Sequence, residues 1–113
     1  MGHYFHHAIV VTSWKPEAVV EAHAKAVELG MNPGPIVPCE MNGETSFLIP
    51  PDGSKEGWEA SENGDKRRAA WKRWAREANM RSVYFDWVEV GFGGDAEMAI
   101  VQDHGDLEKP PEV

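Results

Sequence analysis

Eight side chains have the right types to form a binding site together: Trp14, Lys15, Asp52, Ser54, Lys55, Trp58, Arg67 and Arg68. Four are cations, two offer flat indole faces, and Asp52 and Ser54 supply a carboxylate and a hydroxyl. Cations beside aromatic faces suit a small anionic ligand such as a nucleotide, and they equally suit a protein interface. Arg67 and Arg68 belong to a dense basic stretch, because six of the eleven Lys and Arg (66, 67, 68, 72, 73 and 76) fall within eleven residues. The competing reading of such a stretch is a solvated helix face balanced by neighbouring acids. Ser54 lacks the flanking pattern of a nucleophile elbow, and Gly53-Ser54-Lys55 lacks the spaced glycine and following helix register of a phosphate loop.

Other chemistry finds less support. His6 and His7 are adjacent, so in a strand they point to opposite faces and do not share a metal ion. His7 and His23 both fall on apolar faces, where a histidine is more often a hydrogen-bonded core residue than a ligand. Asp52, Glu56, Asp86 and Glu89 are the carboxylates closest to an acid–base role, with Asp86 between Phe85 and Trp87 the most environment-sensitive. Their spacing matches no hydrolase signature. Cys39, flanked by Pro38 and Glu40, has no neighbour to lower its pKa. No catalytic residue, metal site or cofactor is assigned. The enzymatic alternative is a small nucleotide- or phosphoester-processing site that uses His7 or His23 with Lys55 and Arg67.

The elements that must position these residues are readable from periodicity. Residues 5–13 form a strand whose Ala8-Ile9-Val10-Val11 run suggests burial on both faces and a central place in a sheet. Pro16 and Glu17 start a helix over 16–29 that Gly30 closes, with Val19, Ala22, His23, Ala26 and Val27 on its apolar face. A Pro- and Gly-rich stretch follows, with a short edge strand at Ile36-Val37 and a tight turn at Asn42-Gly43. The next strand, 45–49, stops at Pro50-Pro51 and turns through Asp52-Gly53. Residues 58–64 read as polar and irregular. A second helix spans 65–78 with the stripe Ala70, Trp71, Trp74, Ala75 and Ala78. Lys66, Lys72, Arg73 and Arg76 fall opposite, and Arg67 near the middle of the stripe. Strands over 83–92 and 96–102 form a hairpin, and 103–113 read as a frayed acidic tail.

The order β-α-β-β-α-β-β predicts an α+β two-layer sandwich. It has a ferredoxin-like core with one added strand, a mainly antiparallel sheet, and two helices on one face. The 113 residues form a single domain, 1–113. A net charge of -8 argues against general binding to nucleic acid or an anionic membrane. A single cysteine suits a reducing compartment, and neither a secretory signal pattern nor an apolar run of membrane-spanning length is present.

Three stretches carry a resemblance: His6-His7-Ala8-Ile9-Val10-Val11-Thr12-Ser13-Trp14, Ile49-Pro50-Pro51-Asp52-Gly53-Ser54-Lys55-Glu56-Gly57-Trp58 and Trp87-Val88-Glu89-Val90. They resemble small uncharacterised accessory proteins of tailed bacteriophages, over most of the chain from His6 to Val101. The resemblance implies a bacterial cytoplasm and a role in binding a host factor or small molecule, and it assigns no functional residue. The resulting expectation is a non-enzymatic binding protein, an accessory or anti-host-defence factor that binds or sequesters a host protein or small anionic ligand. A homodimer through the open sheet face, by way of Tyr4 and Trp87, is compatible with it.

Overall fold

The Ala8-Ile9-Val10-Val11 run lies at the centre of a sheet in the computed structural model, which describes residues 5–41, 43–53, 59–81, 84–94 and 99–105. In chain order the elements are β1 (His6–Ser13), α1 (Pro16–Glu28), β2 (Val37–Pro38), β3 (Thr45–Ile49), α2 (Glu59–Met80), β4 (Asp86–Phe92) and β5 (Ile100–His104). The chain is thus α+β, with a five-stranded antiparallel open sheet ordered β2-β3-β1-β4-β5 and two helices among the described residues. β1 pairs Ile9 with Ile49 on one side and with Glu89 on the other.

The period of two then sorts the sheet into unequal faces. Ile9, Val11, Phe47, Ile49 and Trp87 fall on one face and are buried. Val10, Leu48 and Phe92 fall on the other and are exposed. β1 is therefore central; on the second face Ala8 is buried but Val10 is exposed, which corrects the expectation of burial on both faces along the whole run. Trp87, expected on the open face, belongs to the core, and Tyr4 lies outside the described residues.

α1 starts with Pro16 at its first position and Glu17 in its first turn, both suited to unpaired N–H groups and a positive dipole end. It ends in a Schellman arrangement. Gly30 (φ 76°) donates its N–H to Val27 at 3.0 Å, and Met31 donates to Ala26 at 2.9 Å. Ala18, Val19, Ala22 and Ala26 are buried, whereas Val27 faces solvent.

α2 departs most from the sequence expectation, since residues 59–64 are helical rather than irregular. Glu59 and Glu62 in the first turn favour the dipole. Gly64, which costs about 1 kcal/mol in a helix interior, is held by a tertiary contact described below. Trp71 is fully buried and joins the two helices, its indole Nε1 donating to the Ala22 carbonyl at 3.1 Å. Its ring meets Trp74, Phe85 and Trp87 at centroid distances of 5.8–6.2 Å. Both helices contribute to one core cluster with the covered sheet face.

β5 also differs from expectation. It runs to His104, into the stretch read as tail, because Glu89 pairs with Asp103 and Val88 with His104 across a bulge near Glu89/Val90. The Trp71 linkage yields a prediction. Trp71→Phe keeps an aromatic ring but leaves the Ala22 carbonyl without its donor and opens a void, so stability should fall by about 2–4 kcal/mol. Urea denaturation followed by far-UV circular dichroism measures it. An unchanged midpoint would show that the indole is not the link.

Candidate functional site

The register of β1 decides which of the eight predicted residues meet. Trp14 and Lys15 follow Ser13, which pairs with Thr45, whereas Pro50 and Asp52 follow Ile49, which pairs with Ile9. Those two levels are four residues apart along the ladder, about 13 Å. Trp14 and Lys15 therefore sit at one end of the sheet, and Asp52, Arg67 and Arg68 sit at the other. For the described residues 50–53, the expectation of a place beside the Trp14 end of β1 is corrected, while the approach to α2 stands for Asp52. Ser54, Lys55 and Trp58 lie outside the described residues.

At the Trp14 end the Lys15 ammonium lies 5.9 Å from the Trp14 ring centre and 5.8 Å from that of Tyr84. Ser13 shapes this corner. Its hydroxyl donates to the Tyr84 carbonyl at 2.6 Å and accepts the Lys15 N–H at 3.0 Å. Trp14 is 66% exposed, so its ring is a surface group rather than an anchor for the core.

At the other end lies a pocket of about 230 Å³. Its walls are the turn after α1 (Gly30, Met31 and Asn32), the segment from Ile49 to Asp52, and Gly64, Arg67 and Arg68 of α2. Asn32 holds a left-handed backbone, φ 57°, which asparagine tolerates better than most residues. The wall depends on Gly64: a Cβ there would stand 2.0 Å from the Asp52 carboxylate. The missing side chain thus lets Asp52 lie on the helix backbone and reach the Arg68 guanidinium at 3.5 Å. Arg67, one residue before Arg68, is exposed at the pocket rim. Among the described residues no carboxylate pairs with it.

Arg68 leads from the pocket into a buried ionic network. It bonds to Asp65 on its own helix and lies 3.6 Å from Glu89 of β4. Glu89 is 4% exposed and also takes Lys72 at 2.6 Å and His7 at 3.3 Å. Lys72 continues to Asp103 at 3.1 Å, and Arg76 bonds the same carboxylate at 2.6 Å while lying over the Trp87 ring. Burial works to raise the Glu89 pKa. The adjacent His7 side chain and Lys72, which hydrogen-bonds the carboxylate, outweigh it and pull the carboxyl from 4.5 to about 2. Asp103 likewise titrates below its ordinary value: burial opposes the shift, and Lys72, Arg76 and the His104 N–H drive it.

This network replaces two sequence expectations. Lys72 and Arg76 do not stand opposite the apolar stripe but beside it, and Arg68, not Arg67, turns inward. The signal was present: Arg68, Lys72 and Arg76 recur every four residues, one ridge of a helix, next to Trp71 and Ala75. Of the candidate carboxylates, Asp86 is exposed, Glu56 lies outside the described residues, and Glu89 is buried and held well below its ordinary range. His7 and His23 do not meet, because His23 bonds the Gly34 carbonyl at 2.9 Å and stands edge-on to Phe47. No group of three potential ligands for a metal ion occurs among the described residues. Comparison with family models, curated proteins and solved structures finds no match. The reading of the site therefore rests on its geometry.

Two outcomes test this geometry. Gly64→Ala, which would raise helix propensity by about 1 kcal/mol at an open site, should instead cost about 1–3 kcal/mol through the clash with Asp52. In an Asp52→Ala background the same change should become neutral or stabilising, as a double-mutant cycle in urea would read. Second, Glu89 has its folded pKa lowered, so its contribution is full above pH 4.5 and is lost as pH falls towards about 2. It amounts to ~3 kcal/mol. Urea midpoints from neutral pH to pH 2 should decline through that window, and Glu89→Gln should be less stable at pH 7 with a shallower acid limb. Equal acid slopes in the two proteins would contradict the assignment.

Proposed function

We propose that the chain is a non-enzymatic binding protein that holds a small anionic ligand in the pocket beside Asp52, Arg67 and Arg68. The observation that carries this reading is Arg67: a guanidinium at a concave rim, without a carboxylate partner among the described residues, in a chain of net charge -8. Arg68 and Asp52 are already bonded to each other and so form a fixed wall that orients a ligand. A guanidinium offers paired N–H donors that match a phosphate or carboxylate. About 230 Å³ is below the roughly 300–1,000 Å³ of drug-sized sites. The pocket therefore takes a small ligand, or the anionic end of a larger one such as a nucleotide.

The antiparallel order β2-β3-β1-β4-β5 and the shared core of the two helices support a two-layer sandwich with a ferredoxin-like core and β5 as the added strand. The resemblance to tailed-phage accessory proteins supports a setting in the cytoplasm of a bacterial host. There the chain would sequester a host metabolite or occupy a host component. No helix among the described residues is long and apolar enough to cross a membrane. The exposed Trp14, with Lys15 and Tyr84, favours a second reading, a host protein bound at the opposite end of the sheet.

One titration separates the two. Amide chemical shifts of the labelled protein are followed while phosphate, nucleoside monophosphates and small dicarboxylates are added. The expected result is saturable shifts at Gly30, Asn32, Asp52 and Gly64, and an affinity about tenfold or more weaker in Arg67→Ala. No saturable shift with any of these anions, or the same affinity in Arg67→Ala, would end the small-ligand reading and leave the Trp14 surface as the candidate.

A further inference from the structure

We infer that a second copy of this chain covers the open face of the sheet. The face comes from the strand alternation that builds the core, and both helices lie in the core cluster on the other side. Its centre is Val10, Leu48, Val88, Val90 and Val101, with Val37 towards the β2 edge. Val10, Leu48, Val37 and Val101 are 39–60% exposed. A contiguous apolar surface of this kind on a small acidic protein marks an interface.

Charge chooses the occupant. Charged residues make up 27% of the chain, yet among the described strand positions of this face the one carboxylate is Asp86 and no Lys or Arg occurs. A basic or acidic partner finds nothing there to read. A copy of the same chain meets a face as neutral as its own, across which the mutual repulsion of two -8 molecules is weakest. A twofold axis lying in the interface and crossing the strands sets the Asp86 end of one copy over the His6 end of the other. In that orientation Asp86 of one copy does not lie over Asp86 of the other.

Area and edges agree. Strand spacings of about 4.8 Å and rises of about 3.3 Å per residue give a face of roughly 400–500 Å². Two such faces give roughly 800–1,000 Å², up to the lower bound of a specific interface. Pairing by sheet edges is disfavoured, since β2 has two residues and ends in Pro38, and the β4–β5 ladder is bulged. The inference is independent of the pocket, which opens among residues of α2 and the turns.

Sedimentation velocity over a concentration series decides it. The full chain should show a reversible species of twice the 12.6 kDa chain mass. Val10→Lys with Val90→Lys should return the chain mass alone, while Val27→Lys on the exposed side of α1 should leave the association unchanged. If the double lysine variant fails to fold, Val10→Thr, Val88→Thr and Val90→Thr together keep the β-branched strand shape. That variant should raise the dissociation constant about tenfold or more. A wild-type chain that sediments at 12.6 kDa at every concentration overturns the inference, as does a dimer whose dissociation constant the threonines leave unmoved.

Discussion

Glu89 is a carboxylate buried in the core layer, and the seat of α2 depends on it. A charge in that position costs several kcal/mol unless its partners are close and well aligned. Lys72 at 2.6 Å, His7 at 3.3 Å and Arg68 at 3.6 Å supply them from a helix and a neighbouring strand. The helix cannot rotate or slide a turn without removing Lys72 or Arg68 from Glu89. Its angular setting is therefore fixed, and Trp71 and Ala75 face the core as a consequence. The same setting turns Arg67, about 100° round the helix from Arg68, outward to the pocket rim. Buried ion pairs are weak evidence for net stability, and here the network serves as a register device.

Arg68 belongs to both the network and the pocket. Its guanidinium reaches Glu89 on one side and Asp52 on the other, and Gly64 gives the Asp52 carboxylate room to come that close. The pocket wall is thus coupled to the core through one side chain. Loss of charge on Glu89 would release Arg68 towards Asp52 and Asp65 and shift the wall without touching any rim residue. On the far side, Lys72 and Arg76 hold Asp103, which draws β5 into the sheet over residues that composition alone marks as tail. Helix rotation, pocket shape and the last strand follow from one line of cations.

β1, β3 and α1 were legible because local chemistry sets them. The Ala8-Ile9-Val10-Val11 run, Pro16 and Gly30 each act within a few residues, and the structure keeps their places. The start of α2 was not legible. Gly64 reads as a helix breaker, and what holds it is a contact with Asp52, twelve residues away in sequence and visible only in three dimensions. Of the eight candidate site residues, Ser54, Lys55 and Trp58 lie outside the described residues. Asp52, Arg67 and Arg68 meet at one pocket, but Trp14 and Lys15 do not join them, because strand register and not sequence proximity to an apolar run sets which loops share an end. The burial of Glu89 was hidden for a similar reason. Alternation placed it with Trp87, yet nothing in β4 itself announces that a ridge of cations on α2 will cover it.

The dense basic stretch therefore presents far less positive surface than its composition suggests. Arg68, Lys72 and Arg76 are committed to internal carboxylates, and Lys66, Arg67 and Arg73 remain exposed. Seen from a distance, the molecule is an acidic particle. A polyanion such as a nucleic acid has many charges spread beyond the Debye length of about 8 Å, so it meets the repulsion of the whole surface at once. A small anion with one or two charges is screened until it is within a few ångström of the rim, where Arg67 is the nearest full charge. In the proposed small-ligand role, the same distribution that disfavours a long acidic polymer would leave a short-range site open to a compact ligand. Selectivity for size would then come from the balance of charge across the molecule as much as from the walls of the pocket.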